Sequence, residues 1–156
     1  MSNRSTQVPP KEWFEKEAQS HLVAGDLFTF QNPVIPIKTR GRWYGALSQR
    51  VVDQGMKLPD LGKNAGEFVD PYIFVALWGD EGDYTPEDIF DCAAITMHIA
   101  STQLRLPKLA LPVLGGKEGM QWLWAAERGI FEESDYLDAA GFPIPDHVYV
   151  TDKILT

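Results

Sequence analysis

Two glycine-bearing loops hold the residues best suited to bind a phosphorylated small molecule. Residues 38–45 (KTRGRWYG) and 115–119 (GGKEG) each follow a predicted strand and lead into a predicted helix. The first N–H groups of a helix have no partner within the helix, so a phosphate placed there satisfies those donors and the helix dipole together. The same glycines also suit any sharp turn from strand to helix, so each loop has a structural interpretation as well.

Two carboxylates accompany these loops. Glu118 lies in the second loop, where a carboxylate beside a ribose carbon could act as nucleophile or base, with Lys38 or Lys117 as its partner. Asp26 follows the first predicted strand, where it could contact a ligand. Both acids have a structural alternative, because an acid near a helix N-terminus is stabilised by the dipole and an aspartate after a strand caps a turn.

The first loop also carries cations and aromatic rings. Arg40 and Arg42 could clamp a phosphate through paired hydrogen bonds, although arginines in loops are more often solvated. Trp43, Tyr44 and Trp78 lie at loop or strand ends, where an aromatic ring could stack on a base. These side chains are candidates for ligand contact next to the glycines.

The remaining chemistry-bearing residues favour neither a metal site nor a reactive thiol. His21, His98 and His147 are far apart and lack metal-ligand spacing, and Cys92 lies within a predicted helix without an evident base. The acidic turn at residues 79–84 lacks the spacing of a calcium loop. We therefore expect no metal and no cofactor.

Length and charge narrow the classes of function. A chain of 156 residues is the size of one ordinary domain. Its net charge of −8 disfavours a long nucleic acid but not a small anion held by backbone N–H groups. The single cysteine fits a reducing compartment, and we find neither a secretory leader nor a membrane-spanning run. We expect a cytoplasmic protein whose oligomeric state stays open.

Strands alternate with helices along the chain. A short helix over residues 10–19 belongs to an N-terminal extension, residues 1–20, and residues 21–156 form the single domain. Residues 58–71 predict an irregular connection, and Pro36 shortens its strand or places it near a sheet edge. The predicted strands are 21–24, 34–37, 72–78, 109–114 and 147–151, and the predicted helices are 46–54, 85–104 and 120–133. This order predicts an α/β fold with a mostly parallel sheet covered on both faces, whose ligands bind at the carboxyl ends of the strands.

Three segments, taken in order, resemble the macrodomain, an ADP-ribose-binding module. Residues 23–28 (VAGDLF) are similar to the family's "GDI" strand end, and residues 34–47 match its strand and glycine-rich helix start. Residues 109–122 (LALPVLGGKEGMQW) resemble its apolar strand, proline, phosphate loop and tryptophan. The resemblance implies a three-layer α/β/α sandwich around a mixed, mostly parallel central sheet.

The resemblance also implies roles for individual residues. Asp26 would accept from the adenine amino group, with Leu27 beside the ring. Glu118 lies near the place where one macrodomain subclass has a catalytic aspartate paired with a lysine, here Lys38. The family's asparagines are absent, since Pro36, Lys38 and Thr39 stand there. The other ligand-binding positions that it implies are Thr39, Gly41, Gly45, Ala46, Gly115, Gly116, Lys117 and Gly119.

Two functions of different class follow from these residues. The first is binding of ADP-ribose or a related nucleotide-sugar diphosphate, extending to hydrolysis of an ADP-ribosyl or terminal phosphate ester bond. The partner would then be a small nucleotide diphosphate or an ADP-ribosylated substrate. The second is a protein-interaction or inhibitory module that keeps the fold without catalysis, which the missing asparagines favour.

Overall fold

The protein is described by a computed structural model that covers residues 20–23, 25–42, 45–78, 84–115 and 122–151. Six strands and three α-helices alternate within these residues, so the alternation predicted from the sequence is confirmed. The elements are β1 (Ser20–Val23), β2 (Val34–Lys38), α1 (Ala46–Asp53), β3 (Gly66–Val69), β4 (Tyr72–Trp78), α2 (Pro86–Ile99), β5 (Lys108–Pro112), α3 (Leu123–Ala139) and β6 (His147–Thr151). Short 3-10 turns occupy Leu27–Thr29 and Thr39–Gly41, and a π-helical turn, Ala100–Leu104, extends α2.

The strands form two hydrogen-bonded ladders that lie side by side. One has the order β1-β6-β5 and is parallel throughout, and the other has the order β2-β4-β3, in which only β3 runs antiparallel. Strand β5 of the first ladder lies against β2 of the second. The sheet is therefore mixed and mostly parallel, as the sequence predicts.

Strand β4 shows why helices cover both faces. Ile73, Val75 and Leu77 point to a core shared with α2 and α3, whereas the residues between them, such as Phe74, point to a second core shared with α1. Side chains of a strand alternate between its faces, so a strand that is apolar at every position needs cover on both. The result is a three-layer α/β/α sandwich.

The proline of β2 faces the boundary between the two ladders. The carbonyl of Pro33 accepts from Ile73 of β4, so the alternation of the strand turns the Pro36 nitrogen away from β4, towards β5. That nitrogen has no hydrogen to donate. Strand β2 is thus the edge of its hydrogen-bonded ladder, which is where a proline is tolerated.

Two details differ from the sequence prediction. The stretch 58–71 contains β3, a four-residue strand whose pairing with β4 could not be inferred from its own Gly- and Asp-rich surroundings. Helix α3 runs to Ala139, because Leu137 stays fully buried beyond the predicted end. Gly141, with φ at 88°, closes α3 while Phe142 N donates to the Leu137 carbonyl. The predicted helix 10–19 lies outside the described residues.

Helices α2 and α3 pack closely on one face of the sheet. Thr85 caps α2 and forms a capping box with Asp88, as the predicted helix start requires. Gly129 of α3 lies against the backbone of Phe90, where no space remains for a β-carbon. No helix among the described residues is long and apolar enough to cross a membrane.

The close crossing predicts that Gly129→Ala destabilises the protein. The added methyl would meet the Phe90 carbonyl and force the two helices apart, at a cost of about 1–3 kcal/mol. The free energy of unfolding in urea would measure this loss. Gly62→Ala is the matched control, because its β-carbon would meet open space. Equal stability of the Gly129 and Gly62 variants would contradict the packing described.

Candidate functional site

The strands of the parallel ladder end level with one another. Val23 of β1 and Pro112 of β5 both pair with Thr151 of β6, so the segments that follow β1 and β5 leave from the same edge. Asp26 follows β1, and Gly115 follows β5. In the second ladder Lys38 of β2 pairs with the end of β4. The structure thus places the predicted binding segments at carboxyl ends of strands, where α/β sheets bind ligands.

The loop after β2 has a tightly fixed backbone. Arg40 and Gly41 both adopt the left-handed region, with φ of 63° and 69°. The Arg40 N–H donates to the Leu61 carbonyl at 3.0 Å, and a β-carbon on Gly41 would lie 3.1 Å from the Leu58 carbonyl. A glycine at position 41 is therefore required by both the backbone conformation and the neighbouring chain.

Helix α1 begins at the end of this loop with a glycine cap. Gly45 is the N-cap and has no side chain with which to cap the helix. Its N–H donates to the Ser48 hydroxyl at 3.1 Å, and that hydroxyl donates to the Gly45 carbonyl at 3.2 Å. Ser48 is buried, whereas Ala46 is exposed at the first helical position. The first turn of α1 therefore has an exposed residue, Ala46, and a buried one, Ser48. Trp43 and Tyr44 lie outside the described residues.

The start of the second glycine loop is held by Tyr84. The Tyr84 hydroxyl donates to the Gly115 carbonyl at 2.8 Å, and its ring packs edge-on against Trp122. Gly115 has a φ of 92°, and a β-carbon there would lie 2.7 Å from that hydroxyl. Glycine is again the residue that fits. Gly116, Lys117, Glu118 and Gly119 lie outside the described residues, so their roles stay predictions.

Asp26 has the capping role that was the structural alternative for it. Its Oδ1 accepts from the Phe28 N–H at 3.0 Å and caps the turn Leu27–Thr29. Arg50 of α1 donates through Nη1 to both carboxylate oxygens at 3.1 Å. The Asp26 side chain is still 39% exposed, so part of the carboxylate faces solvent. A capping role and ligand contact are therefore compatible in this geometry.

The other predicted binding residues of these segments differ in how deeply they are buried. Leu27 is buried in the second core beside Ile35 and Ala110, so only its backbone is available to a ligand. Thr39 is also buried, and Lys38 is half-buried at the end of β2. Arg42 donates through Nε to the Thr39 carbonyl at 3.3 Å, so this arginine braces the loop.

Several solved structures have a fold similar to that of this chain. No protein-family model and no curated protein matches the sequence. The macrodomain of Thermus aquaticus DarG is 15% identical with a TM-score of 0.55, over 84% of this chain and 96% of that one. The macro domain of ganglioside induced differentiation associated protein 2 (GDAP2) is 11% identical with a TM-score of 0.61, over 97% and 84%. The chain has the macrodomain fold.

A third structure of the same fold is a complex. The Trypanosoma brucei macrodomain, solved with ADP-ribose, is 12% identical with a TM-score of 0.61, and the match covers 85% of this chain. The chain spans 63% of the length of that protein. At such identities the likeness establishes the macrodomain fold of this chain, and the roles of individual residues rest on their own contacts.

Arg50 and Tyr84 are contacts of the site that sequence reasoning missed. Arg50 is separated from Asp26 by 24 residues, and Tyr84 from Gly115 by 31. Neither pair falls within a local motif, so only the macrodomain fold brings its members together. The one sequence signal was indirect: Arg50 is a charged residue on a short helix that directly follows a predicted binding loop.

Cys92 and His98, two residues considered for chemistry, both lie on α2. Burial, with help from the nearby charge of Asp88, raises the pKa of the Cys92 thiol well above its usual range. No group of three or more metal-ligating side chains occurs in the described part of the chain. His98 instead bonds Glu133 at 2.9 Å and links α2 to α3.

A polar junction at the start of α2 ties the loop before β3 to the sheet. Buried Asp88 accepts from the Asn64 amide at 3.0 Å and from the Thr85 N–H at 2.8 Å, with Lys63 Nζ at 3.5 Å. Burial by itself raises the pKa of Asp88, but these bonds and the Lys63 charge together hold it below 3.8. The Asn64 N–H in turn donates to the Ala76 carbonyl of β4.

This junction predicts a pH-dependent contribution to stability. Folding lowers the pKa of Asp88, so the ionised carboxylate stabilises the folded protein fully at pH values above 3.8. This stabilisation is lost as the pH falls through the pKa that Asp88 has in the folded protein. Asp88→Asn should therefore lower the free energy of unfolding at pH 7 by about 1–3 kcal/mol. The difference from wild type should shrink below pH 3.8. A difference that stayed constant throughout the acid titration, read from urea unfolding, would contradict the ionised junction.

Proposed function

We propose that this protein binds ADP-ribose or a related nucleotide-sugar diphosphate. The observation that carries the proposal is the placement of Asp26, residues 38–42 and Gly115 at carboxyl ends of strands in a macrodomain fold. The similar macrodomain of T. brucei was solved in complex with ADP-ribose. Asp26 would contact the base, while the first turn of α1 and the second glycine loop would hold the diphosphate.

The charge of the protein fits this division of roles. A protein with a net charge of −8 repels an anion at long range, so a diphosphate must be held by local donors. Backbone N–H groups at a helix start and in a glycine loop are such donors, and they need no cationic side chain. Gly41, Gly45 and Gly115 keep the backbone of both loops accessible to a bound phosphate in this proposal.

Binding without hydrolysis is the second candidate, and a specific observation favours it. Pro36 and Thr39, which stand where the resembled family has asparagines, are both buried, and Lys38 is half-buried. None of these positions offers an exposed amide that could orient a water molecule. A non-catalytic reader or a protein-interaction module is therefore consistent with the first loop, and hydrolysis would require Glu118.

Titration calorimetry with ADP-ribose, and with ADP and NAD as comparators at one salt concentration, tests binding. Gly116→Glu should abolish the heat, because a carboxylate in the second glycine loop repels the diphosphate. Asp26→Ala should weaken ADP-ribose binding about tenfold through loss of a charged hydrogen-bond acceptor. Asp146→Ala is the matched control, because Asp146 is exposed just before β6, at the opposite ends of the strands.

Two outcomes would decide against the proposed pocket. Wild-type protein that gives no heat with any of the three ligands would leave the protein-interaction role as the better account. Wild-type protein that binds ADP-ribose while both variants bind equally well would place the ligand elsewhere on the molecule.

Hydrolysis is tested separately through Glu118. If wild-type protein releases ADP-ribose from an ADP-ribosylated protein, Glu118→Gln should lower kcat at least about a hundredfold. The affinity for ADP-ribose should change less than about threefold, because the amide keeps the size of the side chain. Turnover that is unchanged in this variant would remove Glu118 from the mechanism, and wild-type binding without turnover would support the non-catalytic reader.

A further inference from the structure

Arg50 makes two contacts that converge on the segment proposed to bind the base. Its Nη1 lies 3.1 Å from each carboxylate oxygen of Asp26. Its guanidinium carbon lies 4.0 Å from the centroid of the Phe28 ring, a cation–π distance. Arg50 therefore contacts both Asp26, which caps the 3-10 turn Leu27–Thr29, and Phe28 within that turn.

The stack beneath Arg50 is anchored in the core. Phe28 packs edge-on against Tyr72 of β4, with 5.8 Å between ring centroids, and the Tyr72 hydroxyl donates to Gln54 at 2.7 Å. Tyr72 is buried, so this support is part of the second core. The guanidinium thus lies on a fixed aromatic surface, although Arg50 itself is 46% exposed.

These contacts restrict the orientation of the Asp26 carboxylate. The Phe28 N–H holds Oδ1, and Arg50 Nη1 holds both oxygens. An exposed aspartate without such donors would sample several rotamers, which would have to be ordered when a ligand binds. A carboxylate held in advance loses less entropy on accepting a hydrogen bond from a base.

The pairing also matters for charge. Asp26 adds a negative charge to the proposed ligand site, in a chain whose net charge is already −8. A cation 3.1 Å from that carboxylate offsets the repulsion. The acid can then read a base without opposing the phosphates.

We infer that Arg50 is a positioning residue that makes Asp26 a specific acceptor for the amino group of a purine. This inference rests on the proposed function and deepens it. Arg50 acts through Asp26, so its effect on affinity should depend on the presence of both the carboxylate and the amino group of the base.

A double-mutant cycle measures that dependence by calorimetry. Arg50→Gln should weaken ADP-ribose binding about tenfold in wild-type protein but less than about twofold in the Asp26→Asn background. Arg50→Lys should retain part of the affinity, because it keeps the charge but not the planar stacking on Phe28. With an ADP-ribose analogue whose 6-amino group is replaced by hydrogen, Arg50→Gln should cost less than about threefold.

Two controls separate positioning from other effects. Lys108→Gln removes the same charge at the amino end of β5, away from Asp26, and should leave affinity unchanged within about twofold. Thermal unfolding of each variant shows whether the domain remains folded, and Arg50→Lys covers the case in which Arg50→Gln does not fold.

The results distinguish this inference from the proposed function. Wild-type protein that fails to bind ADP-ribose would overturn the proposed function. Wild-type protein that binds, together with an Arg50→Gln variant of equal affinity, would overturn the role of Arg50 alone. Equal losses from Arg50→Gln with and without the Asp26 carboxylate, or with and without the amino group, would show that Arg50 acts independently of Asp26.

Discussion

Strand β4 is buried on both faces, and the layered structure depends on that burial. Ile73, Val75 and Leu77 supply one core, while Tyr72, Phe74 and Ala76 supply the other. Fully burying an apolar side chain stabilises a fold by about 1.5–3 kcal/mol, so each face needs a covering layer. Helices α2 and α3 cover one face, and α1 covers the other, which fixes where each loop leaves the sheet.

The loops at the carboxyl ends are held by residues distant in sequence. Leu58 and Leu61 shape the turn at Gly41, and Tyr84 holds Gly115. A binding loop that is fixed in this way has less conformational entropy to lose when a ligand is ordered against it. The irregular connection before β3, which contains no obvious motif, thus serves to position the first glycine loop.

The net charge of the protein opposes the binding of an anionic ligand at the candidate site, so the groups near the ligand must favour it. In the proposed function, an acidic protein would hold an anionic ligand next to the Asp26 carboxylate, and net charge alone would disfavour this. In that proposal, backbone N–H groups of the glycine loops would hold the anion, and the Arg50 guanidinium beside Asp26 offsets the charge of the carboxylate. A binding and a hydrolytic macrodomain would share these features, and they would differ in whether Glu118 and Lys38 act on the bound ligand.

The sequence by itself determined the alternation of strands and helices, the mostly parallel sheet and its cover on both faces. Continuous apolar character at residues 72–78, a capped helix start at Thr85 and glycines between strands and helices are local signals with local physical causes. The motif resemblance pointed to the macrodomain, and the structure has the macrodomain fold. These signals do not depend on knowing which elements are neighbours.

Only the tertiary structure decided which residues act together. Strand β3 exists because β4 offers it a partner, and Asp26 is paired because α1 brings Arg50 to it across 24 residues. The burial of Leu27 and Thr39 likewise follows from the packing of the layers, although their short motifs suggested ligand contact. Pairing and burial depend on distances between segments, and a sequence specifies those distances only through the completed fold.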